Sequence, residues 1–238
     1  MEPPRIILAI ETSQREGSVA LRDELGLIRA ESLRSFRRHE DDLLPAIDRV
    51  VKASGMLHTD LDAVAVSVGP GGFTGLRIAI AAAKMLAEVL EVKLAAVPSA
   101  LVAAASTPAL ASPALITLAS KGERAWCTIA ESCRESGWRI VGTPGLHNAC
   151  EVGWSHVRAV VCDRFAPAGF RRHTESVGLP VREPRFDAAA CLDLGSRMLA
   201  RGEATSPLDL LPIYARPPEA VALWQARRRA SPASNHPG

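Results

Sequence analysis

The stretch LDAVAVSVGPGGFTGLRIAIAAAKMLAEVL, residues 61–90, decides the fold. Residues 61–68 alternate and are rich in β-branched side chains, the pattern of a half-buried strand. Residues 78–90 are almost wholly helix-forming. Between them Gly69, Pro70, Gly71, Gly72 and Gly75 make a backbone that turns sharply and leaves N–H groups free at a helix start. Thr74 is the expected N-cap. The junction reads either as a tight strand-to-helix turn or as a phosphate cradle. It is not a Walker loop, because no Gly-Lys-Ser/Thr follows.

The helix that follows is too apolar for one side to face water. Its charges, Arg77, Lys84, Glu88 and Glu91, fall on one narrow stripe. The rest is Leu76, Ile78, Ile80, Met85, Leu86, Val89, Leu90 and alanines, whereas a surface helix shows a broad polar face. Its cover is either another helix of the same chain or a second subunit.

Outward from this unit, residues 5–10 read as a buried strand ending at Glu11-Thr12-Ser13. Residues 17–21 and 25–32 complete a β-meander, and 39–54 form an amphipathic helix with Leu43, Leu44, Ile47, Val50 and Val51 on one face. A strand at 93–97 and a helix at 99–106 close a first lobe, residues 1–106. A second, more divergent lobe is expected over 107–218, with strands near 114–118, 124–130, 138–141 and 157–162 and a helix at 188–200. A C-terminal helix over 219–229 is expected to pack back on the first lobe, with a disordered tail at 230–238. The class is α/β.

Composition limits the function. The chain has 238 residues and a formal net charge of +2, which predicts neither strong nucleic-acid affinity nor attachment to anionic membranes. Five widely spaced cysteines form no CxxC pair, so neither a disulfide framework nor a zinc knuckle fits. Cys127 and Cys162 read as core filler. No signal peptide or membrane-spanning run is found, and a cytoplasmic setting is expected.

Three chemistries are weighed. Glu11, Thr12, Ser13 and Gly17 have the form of a first phosphate-binding turn, in which a carboxylate holds a magnesium-bound water; alternatively Thr12 and Ser13 simply bond the turn's own backbone. A zinc protease is unsupported, since the residue four after His39 is Leu43. A serine hydrolase is unsupported too, since no GxSxG elbow occurs.

ILAIETS at 7–13, GSVAL at 17–21, RHEDDLLPAID at 38–48, the 61–90 stretch and AVPSALVAAA at 96–105 closely resemble the bacterial TsaB family, formerly YeaZ. The resemblance implies a two-lobed actin-like, ribonuclease-H-like fold (the ASKHA class). It implies a non-catalytic scaffold in the threonylcarbamoyladenosine modification of tRNA, with no cofactor and no metal. Its partners would be the catalytic subunit TsaD, paired through first-lobe helices, and the ATPase TsaE. A homodimer would form when it is alone, and tRNA would be met indirectly through the complex. TsaD carries a metal-binding histidine pair just after the strand matching 93–97; here Pro98, Ser99, Ala100, Leu101, Val102 and Ala103 stand there. The implied interface comprises Leu43, Leu44 and Ile47 on one helix. On the next it comprises Phe73, Thr74, Leu76, Arg77, Ile80, Ala83 and Lys84, with Leu90 as a further apolar filler. Two departures stand out. Glu11 replaces the usual first-turn aspartate, and Leu118-Ala119-Ser120 occupies the place of an Asp-Ala-Arg stretch. The rival reading is an actin-like ATP-binding enzyme using Glu11 to Gly17.

Overall fold

A computed structural model describes residues 4–33 and 39–216. The helix expected at 219–229 and the tail at 230–238 lie outside the described residues. β1 (Ile7–Glu11), β2 (Ser18–Arg22) and β3 (Ile28–Ser32) form the expected meander. β4 (Ala63–Gly69) runs parallel to β1, and β5 (Lys93–Pro98) parallel to β4, giving the order β3-β2-β1-β4-β5. α1 (His39–Ala53) joins β3 to β4, α2 (Phe73–Leu90) joins β4 to β5, and α3 (Ser99–Ser106) follows β5.

β4 differs from the half-buried strand read from its alternation: all seven of its residues are buried, as are all five of β1. Parallel strands joined by helical crossovers are covered on both faces. Leu8, Ile10, Val64 and Val66 face a core shared with α1 and α2. The alternate residues Ile7, Ala9, Ala63 and Ala65 face a second core on the other side. The alternation is therefore one of size, large toward α1 and α2 and mostly small opposite.

The second sheet repeats the first. β6 (Ala114–Lys121), β7 (Arg124–Cys133) and β8 (Gly137–His147) are an antiparallel meander, β9 (Ala159–Cys162) lies parallel to β6 and β10 (Val181–Arg182) parallel to β9. Its order, β8-β7-β6-β9-β10, is that of the first sheet. α4 (Ala168–Val177) joins β9 to β10 and α5 (Ala188–Ala200) follows. Where the first lobe has α1, the second has two single turns of 3₁₀ helix, Ala149–Glu151 and Trp154–His156. α4 and β10 escape a sequence reading because α4 buries just Phe170 and Thr174, and β10 is two exposed residues.

Each lobe's last helix crosses to the other sheet. α3 lies on β6, β7 and β8, while α5 lies across β1, β2, β4 and β5. Val102, Ala103, Ile116, Leu118, Leu192 and Leu194 thus belong to one core that joins the lobes. The alanine face of the first sheet is what lets α5 sit close. A Cβ built at Gly195 would lie 2.4 Å from the Ala65 Cβ and 3.3 Å from that of Ala95. Among the described residues no helix is long and apolar enough to cross a membrane. Replacing Gly195 with valine should lift α5 from the sheet and cost about 2–3 kcal/mol in urea denaturation, as overpacking does. An unchanged midpoint would refute this packing.

Candidate interaction face and the enclosed first turn

The turn after β1 and the glycine-rich turn after β4 are pressed together backbone to backbone. The Gly72 N–H donates to the Ser13 carbonyl at 2.7 Å, and the Thr12 hydroxyl donates to the Gly75 carbonyl at 2.8 Å. A Cβ at Gly71 would fall 2.1 Å from the Ser13 oxygen, and one at Gly75 would fall 2.4 Å from the Thr12 oxygen. Residues without side chains are required for that approach. The glycines are thus spent on packing rather than on a free phosphate cradle.

Glu11, Thr12 and Ser13 are consequently sealed from solvent. One Glu11 carboxyl oxygen accepts the Ser13 N–H at 2.7 Å; the other, Oε2, has no hydrogen-bond partner. Nearby, the Ser67 and Ser99 hydroxyls lie 2.7 Å apart and the Gly69 N–H donates to Ser99 at 3.0 Å. Burial pushes the Glu11 carboxyl above its ordinary range; hydrogen bonds from Ser13 and Ser67 oppose this and the Asp187 charge adds to it. Cys191, buried beside Glu11, is likewise held as a thiol by burial and by the Glu11 charge. Of the four first-turn residues, Gly17 alone lines the cleft between the lobes.

α2 starts at Phe73, one residue before Thr74. Its N-cap is Gly72, whose backbone is extended (φ −64°, ψ 124°) and which offers no side-chain cap; Thr74 lies exposed in the first turn. The expected Thr74 cap is therefore wrong, because the chain must still be extended at Gly72 to meet Ser13.

Several of the α2 and α1 residues expected at the interface are turned into the chain's own core. Leu76, Ile80 and Ala83 are buried in the chain's own core, as are Leu43 and Ile47 of α1. Such residues cannot fill a contact with a second chain. Phe73, Thr74, Arg77 and Leu44 are exposed, and Lys84 and Leu90 are half-buried. The outward ridge is Phe73, Arg77, Ala81, Met85 and Val89, spaced four apart along the whole helix, with Val89 74% and Met85 48% exposed. At its N-terminal end the Phe73 ring stacks on Tyr214, centroids 5.0 Å apart, and the Arg77 guanidinium lies over Phe73 at 5.1 Å. Tyr214 is brought there by a strap: the Thr205 N–H donates to the Leu94 carbonyl, Leu210 is buried, and the Ile213 N–H donates to the Val68 carbonyl at 2.7 Å. Ala81, Met85, Val89 and Tyr214 belong to this exposed face and were not among the residues expected there. The signal for the first three was the charged stripe, since residues four apart from Arg77 must share its outward side.

The buried carboxyl gives a pH test. A group whose folded-state pKa is raised contributes stability at low pH, where both states hold the proton, and loses it as pH rises through the folded value. Stability should therefore decline as pH rises above the ordinary glutamate value of 4.5. Glu11→Gln should flatten that slope and melt higher than the parent at pH 8. Parallel melting-temperature curves from pH 5 to 9 for the two proteins would show that Glu11 is charged in the fold.

Comparison with known proteins agrees with this architecture. Residues 33–140 match the family model described as TsaD, tRNA N6-adenosine threonylcarbamoyltransferase. An uncharacterized protein of Mycobacterium tuberculosis is 28% identical over 91% of this chain and 94% of its own length. The tRNA threonylcarbamoyladenosine biosynthesis protein TsaB of Escherichia coli is 41% identical over 34% of this chain and 35% of its own length. That of Bacillus subtilis is 34% identical over 39% and 41%. The solved structure of YeaZ from Pseudomonas aeruginosa shares the fold, with a TM-score of 0.72 at 23% identity over 88% of this chain and 99% of that one. The two meander-based α/β sheets are thus those of the YeaZ fold, and the likeness to the TsaB proteins named above covers about a third of this chain.

Proposed function

We propose that this protein takes part in the formation of threonylcarbamoyladenosine in tRNA as a non-catalytic subunit that pairs with and activates a TsaD-type enzyme. The observation that carries this reading is the outward ridge of α2. It runs the length of an 18-residue helix, about 27 Å, and it is apolar at Phe73, Ala81, Met85 and Val89. Charged neighbours Arg77 and Glu88 supply a polar rim, the anatomy of a protein–protein contact. Family likeness supports the tRNA role, since the Escherichia coli and Bacillus subtilis relatives are named for that biosynthesis. TsaE would join the assembly on the same reading, and tRNA would be met through the complex rather than by this chain.

The enclosed first turn supports a scaffold rather than an ATPase. A catalytic carboxylate must reach water or a metal-bound ligand, and Glu11 is enclosed by the glycine turn. Alone, the same ridge offers itself to a second copy of the chain, so homodimer and heterodimer would compete for α2.

Light scattering during gel filtration, of the protein alone and mixed with the TsaD of the same organism, tests the pairing. A homodimer that converts to a mixed complex is expected. Met85→Arg places a charge in the contact without touching the core, and should weaken pairing by about 2 kcal/mol, roughly thirtyfold, while leaving the melting temperature unchanged. Ile80→Arg should instead unfold the first lobe. Full pairing by a folded Met85→Arg protein would overturn the assigned face.

A further inference from the structure

The described residues end at Arg216, just past Tyr214, whose ring stacks on Phe73. The chain therefore leaves the described fold at the N-terminal end of the exposed α2 ridge, with residues 217–238 still to follow. That exit point is fixed, because Leu210 is buried and the Ile213 N–H donates to the Val68 carbonyl at 2.7 Å.

The sequence that follows, PPEAVALWQARRR at 217–229, has an apolar middle bracketed by charge, with Glu219 at one end and Arg227, Arg228 and Arg229 at the other. Pro217, Pro218 and Glu219 are a helix-start signal, and Ala220, Leu223 and Trp224 share one side at helical spacing. The ridge carries the complementary pattern in the same direction. Arg77 is exposed toward its N-terminal end, Ala81 and Met85 lie in the middle, and Glu88, Val89 and Glu91 are exposed at the other end. Among the described residues none of Arg77, Glu88 and Glu91 forms an ion pair. A segment running from Tyr214 along α2 sets Glu219 toward Arg77 and the three arginines toward Glu88 and Glu91. Run the other way, it would set its arginines against Arg77. Between its ends the segment is uncharged, and the ridge there has only Lys84, half-buried on its flank. The lengths agree as well: Phe73 to Glu88 is about 22 Å along α2, and Tyr214 to Arg228 covers about 21 Å at helical rise.

We propose that residues 217–229 dock along the α2 ridge of their own chain and compete with a second chain for it. The proposal rests on the ridge assigned above to pairing and adds regulation to that reading: a TsaD-type partner, or another copy of this chain, gains the ridge by displacing the segment. Tethered beside its site, the segment acts at an effective concentration in roughly the millimolar range, so weak contacts suffice to hold it.

Hydrogen–deuterium exchange of the full chain without a partner, read by mass spectrometry at a low and a high protein concentration, tests the docking. Peptides over 220–229 are expected to exchange about tenfold more slowly in the parent than in Met85→Arg, at both concentrations, with β1 and β4 equally protected in the two proteins. Trp224→Asp, which leaves the described core untouched, should speed the same peptides and tighten pairing with the TsaD of the same organism by about the same factor. Slow exchange in a protein that ignores TsaD upholds the docking and overturns the pairing reading. Pairing by a protein whose 220–229 peptides exchange alike in parent and Met85→Arg does the reverse. Slowing that appears only at high concentration assigns the ridge to a second copy and overturns the proposal.

Discussion

Everything in the first lobe hangs on the contact between two backbone turns. The Gly72 N–H reaching the Ser13 carbonyl fixes where α2 begins, and the absence of side chains at Gly71 and Gly75 lets the helix start directly over β1. That single approach sets the phase of α2 on the sheet. Phase in turn decides that Leu76, Ile80 and Ala83 point inward and that Ala81, Met85 and Val89 point outward. It also encloses Glu11, so one constraint closes a potential chemical site and leaves an apolar ridge exposed.

Most of the first lobe was legible because its signals are local. The apolar strand, the glycine junction and the alanine helix follow one another without interruption, and the observed elements start and stop within a few residues of where periodicity puts them. The second lobe was harder for a physical reason. Its meander is half-exposed along β8, its crossover helix buries two residues, and its last strand is two residues long. Weakly amphipathic elements leave weak patterns, although the strand order turns out to be the same as in the first lobe. The exchange of α3 and α5 between sheets leaves no local trace at all, except Gly195, whose close approach to Ala65 spans 130 residues of sequence.

The site was legible as an element but not as a face. The sequence shows that α2 is too apolar, and of the two covers offered for it the structure supplies the one within the chain. The inward half is covered by α1 and the sheet; the outward half is not covered within the described residues. Ile80 and Ala83 were chosen for their apolar character, which is what a core position also demands. Ala81 and Met85 carry the more informative property, since they share a side with Arg77 and Glu88, charges that burial would penalise.

A ridge at spacing four has one more consequence for assembly. Rows of that spacing on two helices interdigitate when the helices cross at about −50°, the commonest packing geometry between helices. The row on α2 is bounded at one end by the Phe73–Tyr214 stack, so a helix laid across it would cross toward Ala81 and Met85. Alanine at that point lets two backbones approach closely, and Met85 adapts its shape to whichever side chains arrive. A ridge with those properties does not distinguish strongly between a copy of itself and a related helix. Specificity for the partner would then rest on the rim, where Arg77 meets its own image in a homodimer and can meet an acidic group in a heterodimer.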